Sequence, residues 1–335
     1  VNDAGPTPRV SVCLLTYNGA KTLRASFDSL LAQKLEDFEL IVNDDCSTDD
    51  TGQLCRSYAR RDPRIRYFRN PRNLTFAGNQ NAAILRARSD HVALVHQGDI
   101  YRSDMLEKWD AALDAHPTAA IVFNAQEQSD PEGNVECVHR HPYPPLVRGL
   151  TLFDEMIRSP ASPIFGIAMV RRRHVVEAGP FDPRLPVLAD VDMWLRLLLR
   201  HDAAYVSEPL VRAAARDLHY RPHSTYFSVR REHELIYALN TARRYPGEPA
   251  KVARLRREIA PMLWKLRLEA LAYVAWHRQW RLVAEGLQLV TRHADFAGGD
   301  LPDVVHDWRA AAERAGEVDR LAALSPASPA GQASG

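Results

Sequence analysis

The 335-residue chain carries 43 Lys and Arg against 42 Asp and Glu, a formal charge of +1 with histidine neutral, and 46% of its residues are hydrophobic. The near balance excludes a protein that holds nucleic acid or an anionic membrane by bulk attraction, and the composition excludes disordered and collagen-like classes. Four cysteines with no CxxC pair and no zinc-type spacing exclude a disulfide scaffold. No run approaches the roughly 20 apolar residues of a spanning helix, and the start VNDAGPTPR has no signal-peptide core, so the expectation is reduced thiols in a cytoplasmic protein without an integral membrane segment.

In chain order, Val10 to Leu15 is a continuous apolar run, followed by Thr16-Tyr17-Asn18-Gly19 and a helical pattern from Thr22 to Leu31. That order predicts a buried strand, a tight turn and a crossover helix. A second strand, Phe38 to Val42, ends in an acidic and polar cluster from Asn43 to Asp50, and a helix runs from Thr51 to Arg60. Ile65 to Phe68 reads as a third strand, Ala77 to Arg88 as a helix, and His91 to Val95 as a fourth strand that stops at His96-Gln97-Gly98-Asp99. Strands alternating with helices imply a parallel sheet with right-handed crossovers, whose ligands bind beyond the carboxyl ends of the strands. Polar clusters stand after three of these four strands.

Further on, Met105 to Ala115 reads as a helix, Ala120 to Phe123 as a strand, and Ser129 to Gly149 as an irregular, Pro-rich stretch that is either a functional loop or a disordered one. Pro163 to Val170 reads as a strand, Arg172 to Ala178 and Val191 to Leu199 as helices, and Ala204 to Val206 as a short strand. After about Tyr226 the pattern is helical only: Val229 to Arg244, Ala250 to His277, Trp280 to Arg292 and Pro302 to Ala315. Apolar residues such as Leu263, Trp264, Leu271 and Val290 make an internal helical core, or else a face for a homodimer or an acceptor-binding lid.

Asp44 and Asp45, between a strand and a helix, are costly to bury without partners. A carboxylate there can accept from a base N–H or a ribose hydroxyl; alternatively Asp45 and Ser47 cap the next helix. The residues alone leave both readings open.

VSVCLLTYNGAKTLRASFDSLLAQ, FELIVNDDCSTDDT, RNPRNLTFAGNQNAAILRARSDHVALVHQGD, SPIFGIAMVRRRHVVEAGPFDP and ADVDMWLRLLL, taken in this order, resemble the family 2 glycosyltransferases of the GT-A fold over about residues 9 to 225. The resemblance implies an α/β fold with a Rossmann-like, mixed but mostly parallel sheet flanked by helices, and an all-helical extension beyond it. It divides the first part of the chain into a nucleotide-sugar-binding half (1–104) and an acceptor-binding half (105–225); the change to a helical pattern adds a helical C-terminal domain (226–316), and the lack of apolar periodicity after it a disordered tail (317–335). The resemblance also implies transfer of a sugar from a nucleotide-diphosphate donor, with inversion, to a small-molecule or glycan acceptor through a hydroxyl or amine. Two rivals are a catalytically silent sugar-nucleotide binder and a nucleotidyltransferase on a related fold.

Carried over by position, the resemblance assigns the nucleotide to Thr16, Tyr17, Asn18, Asp44, Asp45 and Asn81, and the general base to Asp190, with Asp192 as its near competitor on the acceptor side. Helix capping is the plainer reading for Asp190. Trp194 is assigned to the acceptor pocket or, equally, to the core. The family's Asp-x-Asp motif, which holds Mn²⁺ or Mg²⁺ against the diphosphate, is degenerate here: only Asp99 remains, with His96 as a second metal ligand or a hydrogen-bonded strand end. His223, in Tyr220-Arg221-Pro222-His223, and its rival His219 are further metal candidates, and Arg172 and Arg221 are cations that would compensate for the missing carboxylates.

Overall fold

The computed structural model describes residues 6–130, 132–159, 161–214, 223–276, 278–291 and 303–314. Four apolar runs become the parallel strands β1 (Val10–Thr16), β2 (Phe38–Asp44), β3 (Ile65–Arg69) and β4 (His91–His96), linked by helices α1 (Leu23–Leu31), α2 (Thr51–Ala59) and α3 (Thr75–Arg86). β1 lies between β2 and β4 and is buried at every residue. A parallel strand covered on both faces has no solvated side, which is why VSVCLLT shows no polar alternation. Leu23, Phe27 and Leu30 fall on one face of α1 and join Val12, Leu14 and Leu40 in a single core cluster. Burial of side chains of this size stabilises by about 1.5–3 kcal/mol each.

After β4 come β5 (Ile100–Tyr101), α4 (Met105–Ala115), β6 (Ala119–Ser129), β7 (Val135–His139), β8 (Leu146–Val147), α5 (Gly149–Met156), β9 (Ala168–Arg171), α6 (Arg172–Ala178), α7 (Ala189–Leu198) and β10 (Asp202–Ala213). The sheet runs β3-β2-β1-β4-β9-β6-β10-β5, with β7 on β6 and β8 on β10. β9 enters antiparallel between β4 and β6, and β10 returns parallel to β6. This is the mixed α/β sheet flanked by helices that the element order implies.

Two stretches differ from the sequence reading. The irregular loop expected over 129–149 is a hairpin: Asp130 and Gly133, the latter at φ +91°, turn the chain so that β7 pairs with β6. Every residue of β7 is exposed, so it lacks the one-sided burial that makes a strand visible as alternation. The strand expected over 163–170 begins only at Ala168, because Ser162 folds its hydroxyl onto the Ile164 carbonyl at 2.7 Å and the chain reaches the sheet through Gly166.

The chain divides into two compact units, Val1–Leu218 and His219–Gly335. In the second, α8 (His223–Arg244) packs on α9 (Pro249–Trp276), and α9, α10 (Trp280–Thr291) and α11 (Asp303–Arg314) pack around Leu271, Val274, Val283, Leu287 and Ala312. Much of the apolar stripe of α9 is thus buried inside this unit. Among the described residues, no helix is long and apolar enough to cross a membrane.

Candidate active site

The strand register lines up the polar ends: Thr16 pairs with Asp44, Leu15 with His96 and Asp44 with Arg69. The turn after β1 is fixed from both sides. Gln97 accepts from the Thr16 hydroxyl and, at 3.0 Å, from the Tyr17 N–H, while its amide donates to the Tyr17 carbonyl at 3.0 Å. Asn18, at φ +47°, donates its N–H to the Ser47 hydroxyl at 2.9 Å and accepts from the Thr48 N–H at 2.8 Å. A side chain on Gly19 would overlap Gln97, so the clamp requires glycine there. Tyr17 is held through its backbone N–H and carbonyl, and the residue is 46% exposed. Gln97, in sequence a degenerate metal-motif position, joins the ends of β1 and β4.

The acidic pair divides its work. Asp44 is fully buried; Oδ1 accepts from the Ser47 N–H at 2.9 Å and from its hydroxyl, and Oδ2 from the Tyr67 hydroxyl at 2.8 Å, with Arg69 Nε at 3.8 Å. Burial and this carboxylate both drive the Tyr67 hydroxyl to a raised pKa, so it stays a donor. Asp44 therefore holds the β2 turn. Asp45 accepts on Oδ1 from Asn70 Nδ2 and from the Leu74 N–H, each at 2.8 Å. Asn70 in turn bonds Asn79 at 3.0 Å, in a buried amide cluster that includes Asn43.

At the end of β4 the two halves of the sheet meet. β9 pairs antiparallel with β4, Leu94 opposite Ala168 and His91 opposite Arg171, and the same register carried two residues further sets Gly166 opposite His96. A Cβ on Gly166 would stand 2.6 Å from His96 Cε1 and 2.8 Å from Asp190 Oδ2. The imidazole and the carboxylate thus converge over a glycine whose missing side chain makes the room. Asp190 lies in the first turn of α7, where Oδ1 accepts the Val191 N–H at 2.8 Å and the helix N-terminus favours the charged form. Asp99 is 2% exposed and accepts the Ala214 N–H at 2.9 Å on Oδ1, while its own carbonyl accepts from Ser26. Asp99 and His96 stand three positions apart at the end of β4 and offer one oxygen and one nitrogen donor type. Donors of these types fit a divalent cation such as Mn²⁺ that takes the rest of its shell from phosphate oxygens.

Other expected site residues sit elsewhere. Asn81 clasps the backbone of Phe181, accepting its N–H at 2.8 Å and donating to its carbonyl at 2.9 Å, so its amide fixes the Gly-Pro-Phe-Asp turn. Asp192 is fully buried and pairs with Arg196 at 2.9 Å, which also donates to the carbonyls of residues 178–180 and locks α7 to the end of α6. Trp194 is fully buried edge-on to Phe181, a core position beneath the site. Arg172 follows Arg171, which pairs with His91, and so lies at the amino end of β4, about 16 Å along the strand from His96. It cannot face a diphosphate at the carboxyl end. His219 and Arg221 lie outside the described residues, and His223 is described only as the first residue of α8.

Residues 11–177 match the family described as Glycosyl transferase family 2. The putatively named glycosyltransferase EpsE of Bacillus subtilis (strain 168) is 30% identical over 196 residues, covering 56% of this chain and 66% of EpsE. S. aureus TarS 1–349 in complex with UDP-GlcNAc superposes with a TM-score of 0.63 at 20% identity, over 92% of this chain and 88% of that one. Mannosyltransferase PcManGT from Pyrobaculum calidifontis, in complex with GDP-Man and Mn²⁺, superposes with a TM-score of 0.55 at 19% identity, over 95% and 90% of the two chains. The chain belongs to the family 2 glycosyltransferases and has their GT-A type fold. The matched stretch takes in only 20% to 66% of the first curated relatives' own lengths.

Proposed function

We propose that the chain is an inverting glycosyltransferase that moves a sugar from a nucleotide-diphosphate donor to a hydroxyl or amine of a small-molecule or glycan acceptor. The observation that carries this reading is the meeting of Asp190 with His96 over Gly166, where the donor and acceptor halves of the sheet adjoin. Inversion in one displacement requires a base on the acceptor side. The acceptor proton passes to the Asp190 carboxylate as the acceptor oxygen bonds the anomeric carbon. The bond from that carbon to the diphosphate oxygen breaks, and the nucleoside diphosphate leaves.

The exposed Tyr17 supplies an aromatic face for the nucleotide base, and Asp45, whose two bonds from Asn70 and Leu74 fall on Oδ1, turns Oδ2 to base or ribose donors. Asp44, Asn18, Thr16 and Gln97 hold the two turns in place around them. A divalent cation held by Asp99 and His96 would neutralise charge on the departing diphosphate. The ligands named for TarS and PcManGT, UDP-GlcNAc and GDP-Man, make UDP- and GDP-sugars the first donors to test.

Transfer or donor hydrolysis measured for the wild type and Asp190→Asn tests the reading. Turnover is expected to fall about 10²–10⁴-fold in the variant, with nucleotide affinity unchanged. Equal turnover would remove Asp190 from the chemistry.

A further inference from the structure

The amino-terminal edge of the sheet, opposite the end that carries Asp190, holds a second group of ligating side chains. α6 starts directly after Arg171, which pairs with the first residue of β4, and His201 immediately precedes Asp202, the first residue of β10. One turn of α6 presents His174 and Glu177, with His174 Nδ1 3.2 Å from Glu177 Oε2. The His201 ring lies 3.8 Å, centroid to centroid, from that of His174, with the planes at 34°. Among the described residues these three are the group whose ligand atoms all lie within 4.8 Å of one another.

We propose that His174, Glu177 and His201 form a binding site for a transition-metal dication of the Zn²⁺, Co²⁺ or Ni²⁺ class, separate from the nucleotide site. Two imidazole nitrogens and a carboxylate make the three-ligand donor set that suits these metals, with water in the open position. Tetrahedral Zn²⁺ sets its ligands roughly 3.3 Å apart, so closure from the present spacing asks for small side-chain rotations. Glu177, at 57% side-chain exposure, is free to make them.

The frame around the group is rigid. His201 donates its N–H to the Leu197 carbonyl at 2.9 Å, and a side chain on Gly149 would overlap the His201 carbonyl, which α5 presses against. Asp202 is fixed by the Gly149 N–H at 2.9 Å and the Thr118 hydroxyl at 2.8 Å. Arg173 and Arg200 add opposing charge, of which Arg173 is paired with Asp90. Metal here would staple the end of α6 to the junction of α7 and β10, the frame from which Asp190 projects.

Titration of the chelator-treated full chain with Co²⁺ tests the site. We expect one saturable equivalent with a visible ligand-field band, retained in Asp99→Asn and in excess UDP, and a melting temperature raised by about 5–10 °C at a hundredfold excess over the dissociation constant. The band is expected to vanish in His174→Ala and His201→Ala, and Co²⁺ affinity to fall at least about tenfold in Glu177→Gln. His201→Gln, which keeps the side-chain bulk, serves where alanine costs too much stability. Absence of a saturable band, or its survival in both histidine variants, would overturn the proposal.

Discussion

The donor edge and the acceptor helix each present two carboxylates close together in sequence, and each half divides them the same way. Asp44 is fully buried on Ser47 and Tyr67, and Asp192 is fully buried on Arg196, whereas Asp45 keeps one oxygen clear of its two bonds and Asp190 points Oδ2 at the Gly166 gap. The difference between the pairs is the source of their compensation. Asp44 takes its hydrogen bonds from neutral donors within its own half, with Arg69 Nε farther off at 3.8 Å, while Asp192 pairs with a full counter-charge at 2.9 Å, which also ties α7 to α6. A buried carboxylate is stable only with such partners, so the fully buried member of each pair, Asp44 and Asp192, is a framework residue.

The largest expected effect on this division comes from Asp192→Ala, which leaves Arg196 buried without its counter-charge. It should lower unfolding stability by about 3–5 kcal/mol, read by denaturant melting, while nucleotide affinity in the folded fraction is unchanged. Gly166→Ala should do the reverse. Its Cβ pushes His96 and Asp190 apart, and displacement near 1 Å costs on the order of 10²-fold in rate, so turnover should collapse with the melting temperature nearly unmoved.

Glu39 extends the comparison to a buried carboxylate with no part in the site. Burial alone would raise its pKa, but the Ser11 hydroxyl, the Arg88 N–H and Arg66 outweigh it and hold the value below the ordinary 4.5. A lowered folded value means that its stabilisation is present above the unfolded value and lost as pH falls through the folded one. Melting curves should therefore weaken below about pH 4.5, and Glu39→Gln should flatten that acid limb. The smallest effect is expected from Tyr17→Ala: loss of a stacking face worth about 0.5–1.5 kcal/mol, seen as a few-fold weaker nucleotide binding without change in stability.

Much of the donor half is legible in the sequence because β1, β2 and β4 are apolar runs that stop in polar clusters, and parallel strands bring such ends to one edge. Residues whose partners lie far along the chain were not legible. Asn81 carries a binding residue's chemistry, yet its partner is the backbone of Phe181, one hundred positions away. Gln97 reads as a damaged motif position until its clamp on Thr16 and Tyr17 is seen. Gly166 gains meaning only from the antiparallel register of β9 on β4, which no local pattern encodes. β7 escaped detection because a strand exposed along its whole length carries no periodic signal.

The central claim is that Asp190, and not its buried neighbour Asp192, takes the acceptor proton. Sugar transfer and nucleotide affinity measured side by side for Asp190→Asn test it most directly. The account predicts turnover lowered by about 10²–10⁴-fold with wild-type nucleotide affinity and an unchanged melting temperature. Wild-type turnover in Asp190→Asn would contradict it.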